Sequence, residues 1–324
     1  MPKAIRVYEH GGPEVMAYED VATVEPGPGR VRVRQTAIGV NFIDIYFRTG
    51  AYKPASLPFT PGKEGAGEIA ALGEGVTGFQ IGDRVAYAAG EGTYAEEVII
   101  PAKDVVHVPE GVDDATAAAM MLKGLTAEYL LHRTYKVKPG DTILFHAAAG
   151  GVGLILSQWA KHLGATVIGT VGSAEKAELA RAHGCDHVIL YRDEDFAARV
   201  REITGGRGVP VVYDGVGKDT FPASLDCLSP LGMFVSFGAA SGPVDNFSLG
   251  LLGQKGSLFA TRPSLFAHAG NRATLESMAE NLFSVVASGA VKIPVHAKAR
   301  LADVQQVHRD LAGRQTTGAT VMLP

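Results

Sequence analysis

Along the first third of the chain, apolar and polar residues alternate with a period of two. Arg30-Val31-Arg32-Val33-Arg34 is the clearest case, and the pattern is that of a half-buried strand. Gly82-Asp83-Arg84-Val85 and residues 93–100 continue it, with Pro and Gly clusters as punctuation. Residues 3 to about 108 therefore predict a β-rich unit, a small barrel or sandwich. The texture changes where Asp113-Asp114-Ala115-Thr116 offers N-cap chemistry to an alanine-rich helix. From Asp141 onward, short apolar runs alternate with helical ones. Strands are expected over 142–146, 166–171, 187–191, 209–213, 233–237 and 257–260, with helices over 154–163 and 174–183. That alternation implies right-handed βαβ crossovers and a parallel sheet, so the fold class is α/β. After a helix over 272–288, a β-like return over 291–295 and a last strand over 320–323 resemble the first texture, and predict that the C-terminus closes the N-terminal domain.

Composition narrows the function class. The 324 residues suit two domains, and 46% apolar with 20% charged residues is ordinary for a soluble globular chain. A net charge of -4, with no basic stripe, makes nucleic acid or an anionic membrane an unlikely main partner. No apolar run reaches the roughly 18 residues a spanning helix needs, since the longest candidate (142–160) is broken by His146, glycines and Ser157. Two cysteines, Cys185 and Cys227, cannot make a disulfide framework, so the expectation is a cytoplasmic enzyme.

The one literal G-x-G-x-x-G, Gly73 to Gly78, precedes turn signals and a strand and so reads as a loop. A nucleotide fingerprint needs a strand before it and a helix after it, because the helix N-terminus supplies partial positive charge to the pyrophosphate. His146-Ala147-Ala148-Ala149-Gly150-Gly151-Val152-Gly153 meets that condition. Ala148, Gly150 and Gly153 take the three fingerprint positions, with alanine departing from the strict pattern at the first. NAD enzymes place a carboxylate about 20 residues on, at the second strand's tip, for the ribose 2′-hydroxyl. Here the strand ends in Gly172-Ser173-Ala174-Glu175-Lys176. Glycine makes room, Ser173 can donate a hydrogen bond, and Lys176 brings positive charge, which favours the 2′-phosphate of NADPH. Tyr191, after the following strand, can line the adenosine side.

The order of Gly39-Val40-Asn41-Phe42-Ile43-Asp44, Pro61-Gly62-Lys63-Glu64-Gly65-Ala66-Gly67, Gly82-Asp83-Arg84-Val85 and Ala-Ala-Gly-Gly-Val-Gly resembles the medium-chain dehydrogenase/reductase superfamily along the whole chain. Residues 147–153, Val212-Tyr213-Asp214, Ser236-Phe237-Gly238 and Thr261-Arg262-Pro263-Ser264 are most similar to its NADPH:quinone oxidoreductase branch, which includes the zeta-crystallins. The resemblance implies a GroES-like catalytic domain (1–123 and 263–324) and a Rossmann domain (124–262), with the nicotinamide in a cleft between them and a homodimer through the Rossmann sheets. It also implies cofactor contacts from Asn41, Tyr129, Gly151, Val152, Ser173, Lys176, Tyr191, Gly238, Thr261 and Arg314, the last of which could equally be a salt-bridge residue.

The zinc enzymes of that superfamily place ligands where this chain has Asn41, Lys63-Glu64 and Leu122-Lys123. Asparagine is a weak zinc ligand, lysine a cation and leucine inert, so no metal is expected. His183-Gly184-Cys185-Asp186-His187 has metal-like residue types but reads as a helix C-cap and turn. Without a Lewis acid the acceptor must already be electrophilic. A quinone fits, or an enone or enoyl C=C by similar physics; a non-catalytic NADPH- or RNA-binding role, as in crystallins, is the reading from another class. Asn41, Tyr46 and Tyr52 are the side chains expected at the acceptor, although each tyrosine could equally serve packing. No Gly-x-Ser-x-Gly elbow or Tyr-x-x-x-Lys pair suggests a different mechanism.

Overall fold

A computed structural model describes residues 1–324 apart from Ala89 and Arg314. The chain divides into two compact units. Met1–Leu125, Ala269–Phe283 and Ile293–Pro324 form unit 1, and Thr126–His268 and Ser284–Lys292 form unit 2. The expected boundary at 262/263 is therefore displaced, because the stretch to His268 and the segment 284–292 group with unit 2.

In unit 1, strands β1 (Lys3–Val7) and β2 (Met16–Asp20) pair as an antiparallel ribbon. The main sheet uses β3 (Arg30–Gly39), β4 (Glu64–Leu72), β5 (Arg84–Tyr87), β6 (Glu97–Pro101) and β7 (Val105–His107). Val31, Val33, Ile69, Val85 and Ile100 fill its inner face, which is what the period-two pattern encodes. Helix α1 (Phe42–Thr49) follows β3 inside this β-textured stretch, where no helix was expected. The expected strand over 93–100 begins only at Glu97, because Tyr94 instead hydrogen-bonds to Ile5 of β1 and to Pro61, and the Glu96 N–H donates to Lys3 O of β1. Helix α2 (Asp114–Tyr129) is capped by Asp113, whose Oδ1 accepts the Thr116 N–H at 2.9 Å. The Gly73–Gly78 stretch is a turn with Gly75 and Gly78 at positive φ, and it leads into β5 rather than a helix.

Unit 2 follows the expected alternation. Its elements are β8 (Thr142–His146), α3 (Gly151–His162), β9 (Thr166–Val171), α4 (Ala174–Ala182), β10 (His187–Leu190) and α5 (Phe196–Ile203). They continue with β11 (Val209–Asp214), α6 (Ala223–Asp226), β12 (Leu228–Ser236), α7 (Leu249–Gln254) and β13 (Phe259–Thr261). All pairings are parallel, in the order β10-β9-β8-β11-β12-β13, a doubly wound sheet in which the order of adding strands switches sides between β8 and β11. Leu144, Ile168, Val212 and Phe234 bury one face under α5 and α6. Gly184, at φ +100, ends α4 as expected, and Cys185 is a buried thiol donating to Ser157 Oγ.

The chain finishes with α8 (Leu265–His268), α9 (Arg272–Ala287), β14 (Val295–Arg300), α10 (Val304–Ala312) and β15 (Ala319–Leu323). The return strand lies later than the 291–295 the pattern suggested, since Pro294 has no N–H for a ladder and pairing starts at Val295. β15 pairs antiparallel with β3, so the C-terminus completes the sheet of unit 1.

Candidate functional site

In unit 2 the candidate residues gather at the carboxyl ends of the strands, where open α/β sheets bind ligands. β8 ends at His146, and Ala147 then turns the chain at φ +59, a left-handed conformation that costs an alanine about 1 kcal/mol. Ala148 N–H donates to Thr170 O (3.0 Å) and Gly150 N–H to Ala147 O (2.9 Å), closing the loop. A Cβ on Gly153 would stand 2.5 Å and 2.7 Å from the carbonyl oxygens of Ala148 and Ala147, which are backbone and cannot yield. Gly150 would meet only Ala147 O at 3.1 Å, so its outer side is clear for a close approach. The helix opens at Gly151, three residues before expectation. Gly151, Val152 and Gly153 form its first turn, with no side-chain cap and no acidic residue there. Their N–H groups point out of the helix end, a cradle that fits a pyrophosphate.

One strand over, a Cβ on Gly172 would lie 2.8 Å from Tyr191 Oη and 3.4 Å from Arg192 Nε. The structure thus brings Gly172, Ser173 and Tyr191 together at the tips of β9 and β10. Ser173 caps α4 by accepting the Lys176 N–H at 3.4 Å, and Lys176 occupies the same first turn. Arg192 was missed by sequence reasoning; a cation next to Tyr191 at a strand tip was the available signal. Gly238 follows β12, packed so tightly on Gly215 that a Cβ would be 2.7 Å from its carbonyl oxygen. Thr261 ends β13 beside Val235, and Arg262 donates to Ser236 Oγ (3.2 Å) and Gly238 O (3.3 Å). Tyr129 stacks on His268 with ring centroids 4.6 Å apart, and burial pushes its hydroxyl pKa up. Arg314 lies outside the described residues.

Beneath the loop is a buried polar network that no spacing rule announces. His146 Nδ1 lies 2.8 Å from Thr170 Oγ1, and Nε2 3.0 Å from Ser224 Oγ. Ser224 and Thr220 hydroxyls donate to Asp214 Oδ2, at 3.0 Å and 2.7 Å, while Val216 and Gly217 N–H groups donate to Oδ1. With Ser224 donating to the carboxylate, His146 donates from Nε2 and accepts at Nδ1. Burial lowers its pKa, opposed by Asp214, so the ring is neutral.

In unit 1, Asn41 is the N-cap of α1, and its backbone N–H donates to Asp44 Oδ2 at 2.9 Å. Its side-chain Nδ2 donates to Glu64 Oε1 (2.7 Å), which also accepts from Lys123 Nζ (2.6 Å), while Glu64 Oε2 accepts the Leu122 N–H (2.6 Å). Of the positions that would ligate zinc, Asn41, Glu64 and Lys123 thus form a closed ion-pair and amide cluster, while Lys63 pairs with Glu91 instead. An amide and an ammonium around one carboxylate do not offer the donors zinc needs, so this set does not fit the ion. Among the described residues, no group of three or more His, Cys, Asp or Glu could hold a metal. Tyr46 and Tyr52 are in contact, with ring centroids 5.2 Å apart and the Tyr52 N–H donating to Tyr46 O.

A second buried chain runs beneath α1. The Arg48 guanidinium can only donate, so His308 Nδ1 accepts from Nη1 at 3.0 Å and the ring carries its proton on Nε2. That proton goes to Tyr94 Oη (3.0 Å), and Tyr94 in turn donates to Asp44 Oδ2 (2.8 Å). Asp44 Oδ1 is buried with no partner among the described residues. Burial outweighs the Asn41 and Tyr94 donors and lifts Asp44 to about 7, while burial and Arg48 hold His308 down to about 3.

The chain resembles known proteins throughout. The family model for the alcohol dehydrogenase GroES-like domain matches residues 27–110, and that described as zinc-binding dehydrogenase matches 151–282. A quinone oxidoreductase of Pseudomonas aeruginosa is 53% identical over 100% of both chains. A 2-haloacrylate reductase of Burkholderia sp. is 47% identical over 100% of this chain and 99% of its own. The crystal structure of Escherichia coli quinone oxidoreductase complexed with NADPH superposes with a TM-score of 0.98 at 47% identity, covering 99% of this chain and 100% of that one. The chain belongs to the quinone oxidoreductase family, on the zinc-free branch of the medium-chain dehydrogenases and reductases.

Proposed function

We propose that the protein reduces quinones with NADPH, according to quinone + NADPH + H⁺ → hydroquinone + NADP⁺. One observation carries this reading. β9 ends in Gly172 and Ser173 beside Tyr191 and Arg192, with no carboxylate at the strand end itself and with Glu175 and Lys176 in the first turn of α4, next to a helix end cleared by Gly150 and Gly153. Ala148, Gly150, Gly151, Val152 and Gly153 hold the pyrophosphate, and Gly172, Ser173, Lys176 and Tyr191 hold the 2′-phosphate end. Asn41, Tyr129, Gly238, Thr261 and Arg314 are assigned to the rest of the coenzyme, on the residue pattern of the family. Bound there, NADPH supplies the hydride.

The chain's own residues must then steady the acceptor's negative charge as it forms. Asn41 is held by Glu64, which fixes its amide plane and leaves its second N–H for an acceptor oxygen. Tyr46 and Tyr52 add hydroxyl donors, and Tyr52, 38% exposed, takes replacement protons from solvent. Lys123 keeps Glu64 neutralised, so no second anion opposes the developing one.

The protein is further proposed to work as a cytoplasmic homodimer. The edge strand β13 offers unpaired backbone beside Phe259 (57% exposed) and Leu231 (65% exposed), a surface suited to a second sheet. No helix of the described residues is long and apolar enough to cross a membrane. A second reading, reduction of an electron-poor C=C, is favoured by identity to the haloacrylate reductase. Turnover of NADPH with 1,4-benzoquinone, a larger naphthoquinone and a short enone tests both. Rapid quinone reduction is expected, and enone turnover without quinone turnover would overturn the first reading in favour of the second.

A further inference from the structure

Unit 1 holds a cavity of about 230 Å³ that the reaction above does not use. Its walls include Phe47, Pro54, Phe59, Gly62, Lys63 and Glu91. Most of that lining is apolar, yet a charged group stands in it. Lys63 is buried, its Nζ 4.4 Å from the centre of the Phe47 ring and 2.9 Å from Glu91 Oε1. Both of those partners line the cavity too, so the ammonium lies at its wall. Gly62 fixes the backbone there: at φ +99, any Cβ would collide with Thr93 Oγ1 and the Tyr94 ring, so Lys63 is delivered by a rigid turn. Arg6 adds a second cation at the rim, donating to Thr60 Oγ1 and Pro58 O, both at 3.3 Å.

A buried ammonium is costly unless an anion compensates it. The carboxylate that compensates Lys63 is 74% exposed, so Glu91 can turn to water as another anion takes its place beside the ammonium. One wall of the cavity reaches the acceptor residues: Phe47 packs edge-on against Tyr52 with centroids 5.7 Å apart, and Tyr52 touches Tyr46. We propose that the cavity extends the acceptor site toward anions: Lys63 takes the carboxylate or sulfonate of a planar acceptor whose reducible part faces Tyr46 and Tyr52. This rests on the quinone-reductase reading and adds a substrate class to it, planar electron-poor acceptors bearing a negative substituent.

The test compares 1,4-naphthoquinone with 1,4-naphthoquinone-2-sulfonate in wild type, Lys63→Met and Glu91→Gln. Taking the ratio of kcat/KM values within each protein cancels the sulfonate's own effect on electrophilicity. Loss of a charge-assisted contact should lower the sulfonate preference about tenfold or more in Lys63→Met, whereas Glu91→Gln, which removes the competing carboxylate, should raise it. Equal losses on both quinones, or an unchanged ratio, would overturn the proposal. Calorimetric titration with naphthalene-2-sulfonate and the neutral naphthalene-2-sulfonamide reads the same site without turnover. If wild type reduces neither quinone, the functional reading fails, but sulfonate binding that depends on Lys63 would still support the anion site. Sulfonate and sulfonamide binding alike in wild type and Lys63→Met would sink it.

Discussion

The two units each bury a neutral histidine in a polar chain that ends on an aspartate, and the two aspartates are treated differently. Asp214 receives two backbone N–H groups and two hydroxyls, so each oxygen is satisfied. Asp44 receives two donors on one oxygen and none on the other. The first arrangement uses a carboxylate as a backbone clamp, holding residues 214–217 and, through Ser224 and His146, the strand β8 that leads into the loop at Ala147. The second leaves a carboxyl whose proton is held up to about neutral pH, poised against a histidine that refuses one. Where hydrogen bonding is partial, as at Asp44, burial wins and raises the pKa of the acid.

Asp214→Ala should break the comparison most severely. It strands buried donors, and a stability loss on the order of 4 kcal/mol is expected from urea unfolding, with weaker NADPH binding. A loss below about 1 kcal/mol would mean the clamp is not needed.

Gly153→Ala tests whether the loop above His146 is as rigid as the clamp implies. Because its Cβ would press on two backbone carbonyls, a loss of about 2–3 kcal/mol and of coenzyme affinity is expected, against under about 1 kcal/mol of stability for Gly150→Ala. Equal stability costs for the two would show that the loop can shift.

The Asp44 chain should reveal itself through pH. Asp44 has a folded pKa of about 7 against an ordinary value near 3.8, so its contribution to stability falls as pH rises between them. His308 has a folded pKa of about 3 against 6.5, so its contribution rises with pH over that window. Near pH 4–6.5 the two trends oppose each other. Asp44→Asn should therefore leave a stability that climbs with pH by about 1 kcal/mol per unit, and His308→Gln one that falls similarly. Slopes of the same sign in both variants would refute the pairing. A small effect is that of Ser173→Ala, which removes the α4 cap and should cost about 1 kcal/mol in thermal unfolding.

The sequence was most legible where burial is two-sided. β8 and β9 were placed to the residue because parallel strands read as unbroken apolar runs between glycines and polar breaks. The α3 start was misplaced because glycines look like loop, although a first helical turn tolerates them when its N–H groups serve a ligand. Helix α1 was missed because Phe42-Ile43-Asp44-Ile45-Tyr46-Phe47 is rich in residues that favour strands; Asn41 with Asp44 three residues on was the capping signal. The buried networks left no trace, since His146, Thr170, Asp214 and Ser224 are brought together only by the folded sheet. Lys63 was legible only as a lost ligand, because the cavity around it is assembled from two loops.

The central claim is that the loop after β8 and the carboxylate-free tip of β9 together select NADPH. Calorimetric titration of the wild-type chain and Lys176→Glu with NADPH and NADH tests it most directly. Wild type should bind NADPH at least about tenfold more tightly than NADH, and the substitution should abolish this preference while NADH affinity is little changed. No heat with either coenzyme, or equal affinities in wild type, would contradict it.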